Sequence, residues 1–136
     1  MGRPGWLRCE QFGAGMITGW GAHHIDSAHW GMDTEHTGPV EIWGKAEFPK
    51  QGLWDVHGPF RTEALYANGV HMIVSGDFPN GIKVIGSNGW IFVSTKPGGR
   101  NSEFGSKNAH PKFPRSQPCW NGSAIATTIR CPSIRR

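Results

Sequence analysis

Three Asn-Gly dipeptides, at residues 68–69, 80–81 and 88–89, punctuate the middle of the chain. Asn-Gly tolerates the positive φ angles that a two-residue hairpin loop demands, and it is the strongest short-range hairpin signal. Around these dipeptides run Phe60–Ala67, Val70–Ser75, Ile82–Ile85 and Trp90–Ser94, all rich in β-branched and aromatic residues. Upstream, Val40, Ile42, Gly44, Ala46 and Phe48 alternate with Glu41, Trp43, Lys45 and Glu47, the two-residue period of a half-buried strand. A Gly/Pro/Asp-rich connection, Pro49–Pro59, separates that strand from the next. The pattern predicts an antiparallel meander of four or five strands.

One stretch has a helical period instead. Across Gly21–Met32, Ala22, Ile25, Ala28 or His29, and Met32 recur every three to four residues, while His23, Asp26 and Trp30 form a neighbouring stripe. Glycines at 13, 15, 19 and 21 read as a flexible approach to this helix. The expected class is therefore α+β: a largely antiparallel open sheet with helix 21–32 on one face. A single helix cannot cover both faces of such a sheet. The alternate faces offer Trp43, Leu65, Ile73, Val84 and Phe92 besides the core set, so the uncovered face is expected to be an oligomer interface.

At 136 residues the chain has the size of one domain. It has no apolar run of about 18 residues to cross a membrane, and its first six residues lack the apolar core of a secretory signal. Neither G-x-G-x-x-G after a strand nor G-x-x-x-x-G-K-[ST] occurs, which excludes a self-contained nucleotide-dependent enzyme of those types. The net charge of +4 divides unevenly. Residues 1–95 hold six Lys/Arg and nine Asp/Glu, giving −3; residues 96–136 hold eight and one, giving +7. The basic part is rich in Ser, Pro, Asn and Gly without periodicity. It reads as an irregular, solvated tail rather than a nucleic-acid-binding face. Cys9, Cys119 and Cys131 form no C-x-x-C pair and read as reduced thiols.

The chemistry concentrates in Met16–Trp30, with His23, His24, Asp26 and His29. A metal site would prefer histidines at i and i+4 on a helix, whereas 24 to 29 is five and 23 to 29 is six. A small metal-dependent hydrolase using His23, His24 and Asp26 is one reading nonetheless. A second is ordinary hydrogen bonding at a helix start. A third is acid–base chemistry, because a histidine on the first helical turn can face a cleft with a pKa near the working pH.

The segment Thr18-Gly-Trp-Gly-Ala-His-His-Ile-Asp-Ser-Ala-His-Trp-Gly-Met32 and its continuation Gly38-Pro-Val-Glu-Ile-Trp-Gly44 resemble the C-terminal domain of the glucose–fructose oxidoreductase/inositol dehydrogenase (Gfo/Idh/MocA) family. Gly81–Ser94 is similar to a sheet segment of its bacterial sugar-type members. The resemblance runs from about Trp6 to Ser94 and is most specific over Gly19–Trp30. It implies a domain over 1–95 that supplies the substrate floor and the oligomer contact of an NAD(P)-dependent dehydrogenase. A Rossmann domain carrying NAD or NADP, and a lysine, is expected to precede Met1. This chain alone is then expected to bind no cofactor and to turn nothing over.

By the same resemblance His23 falls on the catalytic histidine. The family's aspartate, four residues earlier, is Gly19 here. His24, Trp20 and Trp30 are candidate substrate contacts, and Asp26 is expected to hold the helix start. The implied substrate is a sugar-like molecule or polyol, and residues 96–136 lie outside the family pattern. The compartment is open between cytoplasm and, with an export signal upstream, periplasm. A free-standing carbohydrate-binding or assembly module is the alternative.

Overall fold

In the computed structural model, residues 5–94, 102–106 and, as backbone, 126–130 are described. A short 3-10 helix (Gly5–Arg8) leads through a glycine-containing approach to one α-helix, α1 (Trp20–Met32). Seven strands follow: β1 (Pro39–Ala46), β2 (Phe60–Tyr66), β3 (His71–Ser75), β4 (Gly81–Ile85), β5 (Gly89–Ser94), β6 (Ser102–Ser106) and β7 (Ala126–Arg130). β1–β2–β3 and β4–β5–β6 are antiparallel three-stranded units. β7 enters between them, antiparallel to β3 and parallel to β4, to give the order β1-β2-β3-β7-β4-β5-β6. Among the described residues the architecture is α+β, a mainly antiparallel sheet with one α-helix.

The last two strands fall within the segment read from sequence as an irregular tail. Ser102–Ser106 is a short, polar, glycine-containing edge strand, a composition that carries little β signal. Ala126–Arg130 takes its place by pairing with strands more than 40 residues away, which no local period records. The remainder of that segment, with Cys119 and Cys131, lies outside the described residues.

The turns realise the Asn-Gly signals in three ways. Between β2 and β3 the loop has three residues rather than two. Tyr66 and Val70 still pair (Tyr66 N–H to Val70 O, 2.9 Å), Gly69 N–H closes the turn on Tyr66 O, and Gly69 alone takes positive φ, +79°. This is a type I-like turn followed by a left-handed glycine. Asn68 contributes its side chain, accepting Val70 N–H at 3.1 Å. Between β4 and β5 the loop residues are Ser87-Asn88, closed by Gly86 N–H to Gly89 O. Asn80-Gly81 makes no hairpin, because β7 separates β3 from β4.

Helix α1 packs over β7 and β4. Its sheet-facing stripe is Gly21, His24 and Ala28, with Ile25 and Met32 partly buried, so Ala22 turns outward. The small residues at 21 and 28 let the helix approach closely. Beneath it lie Phe60, Tyr66, Val70, Met72 and Val74, joined by Ala64, Ile82 and Val84. The five residues expected on the uncovered face therefore divide. Val84 is on the helix side, Ile73 and Phe92 are buried, Leu65 is half-buried, and Trp43 stays exposed. Exposed apolar residues instead flank the helix on its own side of the sheet, where register places Ile42 with Ala64, and Ile91 and Phe104 with Val84.

Candidate functional site

The helix stops where Asp33 adopts the left-handed conformation (φ 55°, ψ 43°). Asp33 N–H bonds to Trp30 O and Thr34 N–H to His29 O, which satisfies carbonyls the last turn would otherwise leave open. This reversal folds Thr34, itself buried, back over His29. His29 Nδ1 lies 3.2 Å from Thr34 O, and a carbonyl can only accept, so the ring proton sits on Nδ1. His29 Nε2 then accepts from the Tyr66 hydroxyl at 2.7 Å. Tyr66 is 4% exposed at the end of β2, and burial pushes its phenol pKa above the usual range. The chain Tyr66 O–H to His29 to Thr34 O thus ties helix to sheet and uses both nitrogens of His29.

The start of the helix is the opposite case. Gly19 is the N-cap and offers no side chain to bond the first N–H groups. The preceding turn supplies part of what is missing: Met16 O accepts Gly21 N–H. Gly15 takes φ +78°, and a Cβ there would stand 2.5 Å from His57 Nε2. Glycine is thus required for the packing of His57 against the approach loop.

On the outer side of α1 lies a shallow, open depression lined by Ala22, His23, Ile25, Asp26, His29 and Glu35. His23 is exposed there. Its ring has an edge-on contact with Trp20 (centroids 5.9 Å apart) and no hydrogen bond to the described residues. Of the two imidazoles lining the depression, His23 alone has nitrogens available to a ligand. No group of three or more metal-ligating side chains occurs among the described residues.

The sequence candidates therefore separate. His23 and Asp26 meet at the depression, joined by His29, which the sequence also set in the chemical segment, and by Glu35, which it did not single out. His24 is 1% exposed and faces the sheet, so a ligand in the depression does not reach it. Trp20 is half-buried against the core. Trp30 is 74% exposed and continues the outer stripe one turn past Asp26. Asp26 does not hold the helix start: it is the seventh residue of α1, beyond the first turn in which capping acts.

A second cluster lies on the other face of the sheet. Glu63 accepts from Arg61 Nε at 2.8 Å and stands 3.0 Å from His71 Nε2, and Trp43 stacks on His71. The Arg61 guanidinium, with His71 beside it, holds the Glu63 carboxyl below the usual carboxylate range. This cluster has no part in the lining of the depression beside α1.

No protein-family model, characterised protein or solved structure matches this chain.

Proposed function

We propose that this chain is the substrate-side and oligomerisation domain of an NAD(P)-dependent oxidoreductase acting on a sugar or polyol hydroxyl. The observation that carries the reading is the availability of His23. It stands exposed in an open depression on the first turns of α1, while His29 beside it is fully bonded. A neutral imidazole there can take the proton from a hydroxyl oxygen brought within about 2.6–3.2 Å. Asp26 and Glu35, which also line the depression, can accept hydrogen bonds from neighbouring hydroxyls and so orient a polyol. The resemblance over Gly19–Trp30 supports the same assignment.

The glycine approach to α1 is not built as a dinucleotide-binding turn. The glycines before α1 follow a 3-10 helix rather than a strand, and the space a Cβ would fill at Gly15 is taken by His57. In this reading NAD or NADP belongs to a separate domain, and the chain contributes the substrate floor and the proton acceptor. Self-association belongs to the same proposal, with the exposed Val40, Ile42, Ile91, Val93 and Phe104 as the residues to carry it. No helix among the described residues is long and apolar enough to cross a membrane.

The test is a titration of the full chain with glucose, followed through the imidazole NMR signals. The His23 signal, identified by its loss in His23→Gln, is expected to move saturably. If it does not respond, the substrate-side reading fails. Saturable enhancement of NADH fluorescence by the chain alone would overturn the placement of the dinucleotide on another domain.

A further inference from the structure

We infer that the depression beside α1 takes polyhydroxylated rings that carry no phosphate or carboxylate, and that Asp26 and Glu35 are the residues that exclude anionic sugars. This rests on the reading of the depression as the substrate site. Its described lining offers two carboxylates, two imidazoles and no Lys or Arg. The surrounding chain makes this a regional property. From Cys9 to Gly44 there is no Lys or Arg, while Glu10, Asp26, Asp33, Glu35 and Glu41 all fall in that stretch.

A phosphate or carboxylate is ordinarily held by Arg, by Lys or by open N–H groups at a helix N-terminus. His29 cannot substitute, because its one proton is committed to Thr34 O and its other nitrogen accepts from Tyr66. The depression runs along α1 from Ala22 on its first turn to His29 near its last, so the peptide dipoles favour neither sign of charge across it and the two carboxylates set its polarity. Trp30, exposed on the same stripe, offers a flat apolar face suited to the C–H face of a ring, and to an ammonium group by cation–π attraction.

The size of the effect follows from Coulomb's law. One unit charge about 5 Å from another in water-like surroundings changes affinity about fourfold. A sugar phosphate carries a charge of about −1.5 to −2 near neutral pH. Against two carboxylates the combined penalty is on the order of tenfold or more, reduced by salt.

The experiment compares glucose, glucosamine and glucose 6-phosphate on the full chain at pH 7.5, with the His23 imidazole signal as readout. Glucose and glucosamine are expected to saturate the shift at concentrations on the order of tenfold lower than glucose 6-phosphate. In the double variant Asp26→Asn, Glu35→Gln, whose substitutions are on exposed side chains, the gap is expected to narrow to about twofold. Glucose 6-phosphate acting at the same concentration as glucose, or a gap unchanged in the double variant, overturns the inference and leaves the substrate-side reading standing. A His23 signal that moves with none of the three sinks both.

Discussion

The two ends of α1 are built on opposite plans. At the C-terminal end, Asp33 turns the chain back, Thr34 closes on His29, and His29 reaches through to the buried Tyr66. At the N-terminal end, Gly19 provides no cap, and the ring of His23 makes no hydrogen bond to the described residues. Histidines six residues apart on one helix thereby acquire different jobs. A histidine with both nitrogens bonded to protein groups is a structural strut; one with both free in an open depression can exchange a proton with a ligand. The difference lies in the bonding around the ring and not in the residue type.

The largest test of this contrast is Tyr66→Phe. Removing the hydroxyl leaves His29 Nε2 without its donor in a partly buried place, and the expected cost is about 1–2 kcal/mol in urea unfolding. His23→Gln, at the other end, is expected to stay within about 0.5 kcal/mol. Equal losses in the two variants would erase the distinction between strut and free group.

The same strut has an alkaline signature. Burial raises the Tyr66 pKa above its ordinary 10.0, so the folded state favours the neutral phenol. Its contribution is fully present below pH 10 and is lost as pH rises from there through the raised value. Tyr66 is the chain's single tyrosine, so tyrosinate absorbance reports on it alone. The absorbance midpoint is expected above that of the urea-unfolded chain. Coincident midpoints would show Tyr66 to be open to water.

How these features stood in the sequence depends on how local they are. β2 to β5 were legible because β-branched and aromatic runs sit between turn residues, and α1 because its apolar residues repeat within 13 residues. The details of the turns were not, since Asn-Gly fixes the presence of a turn better than its loop length: Gly69 is left-handed while Asn68 is not. β7 was not legible because its partners, β3 and β4, stand far back in the chain. The helix site shows the same division. His23 and Asp26 share a helical stripe and could be picked out by spacing. The His29–Tyr66 bond joins residues 37 apart, and only the inward position of the lone tyrosine at the end of β2 hints at it. His24 entered as a substrate contact through the resemblance and not through a period, and the buried stripe through Gly21 and Ala28 carries it under the helix instead.

A smaller effect is expected from Asp33→Gly. Asp33 is the one non-glycine residue at positive φ among the described residues, and glycine adopts that conformation without the Cβ penalty. The substitution is expected to stabilise by about 0.5 kcal/mol, because the motif it completes depends on backbone groups that glycine retains. A loss of stability would mean that the Asp33 side chain, and not its backbone, holds the helix end.

The smallest stability change, and the one that most directly blurs the contrast, is expected from Gly19→Asp. A Cβ at position 19 meets nothing closer than Gly15 O at 3.6 Å, so the side chain fits without displacing its neighbours. Aspartate is among the best N-cap residues and would accept one of the N–H groups that Gly19 leaves open, for a gain over glycine of about 0.3 kcal/mol. Met16 O already accepts Gly21 N–H, which keeps the gain at the low end. The carboxylate would also stand four residues before His23, one helical turn away, where it can accept a hydrogen bond from the ring. In the variant the His23 imidazole NMR signal is therefore expected to shift at fixed pH from its place in the parent chain, while the signal of His29, whose ring is already tied to Thr34 and Tyr66, stays. A His23 signal that stays in place would show that position 19 does not communicate with the depression. The open end of the helix would then owe its freedom to the exposure of His23 rather than to the missing carboxylate.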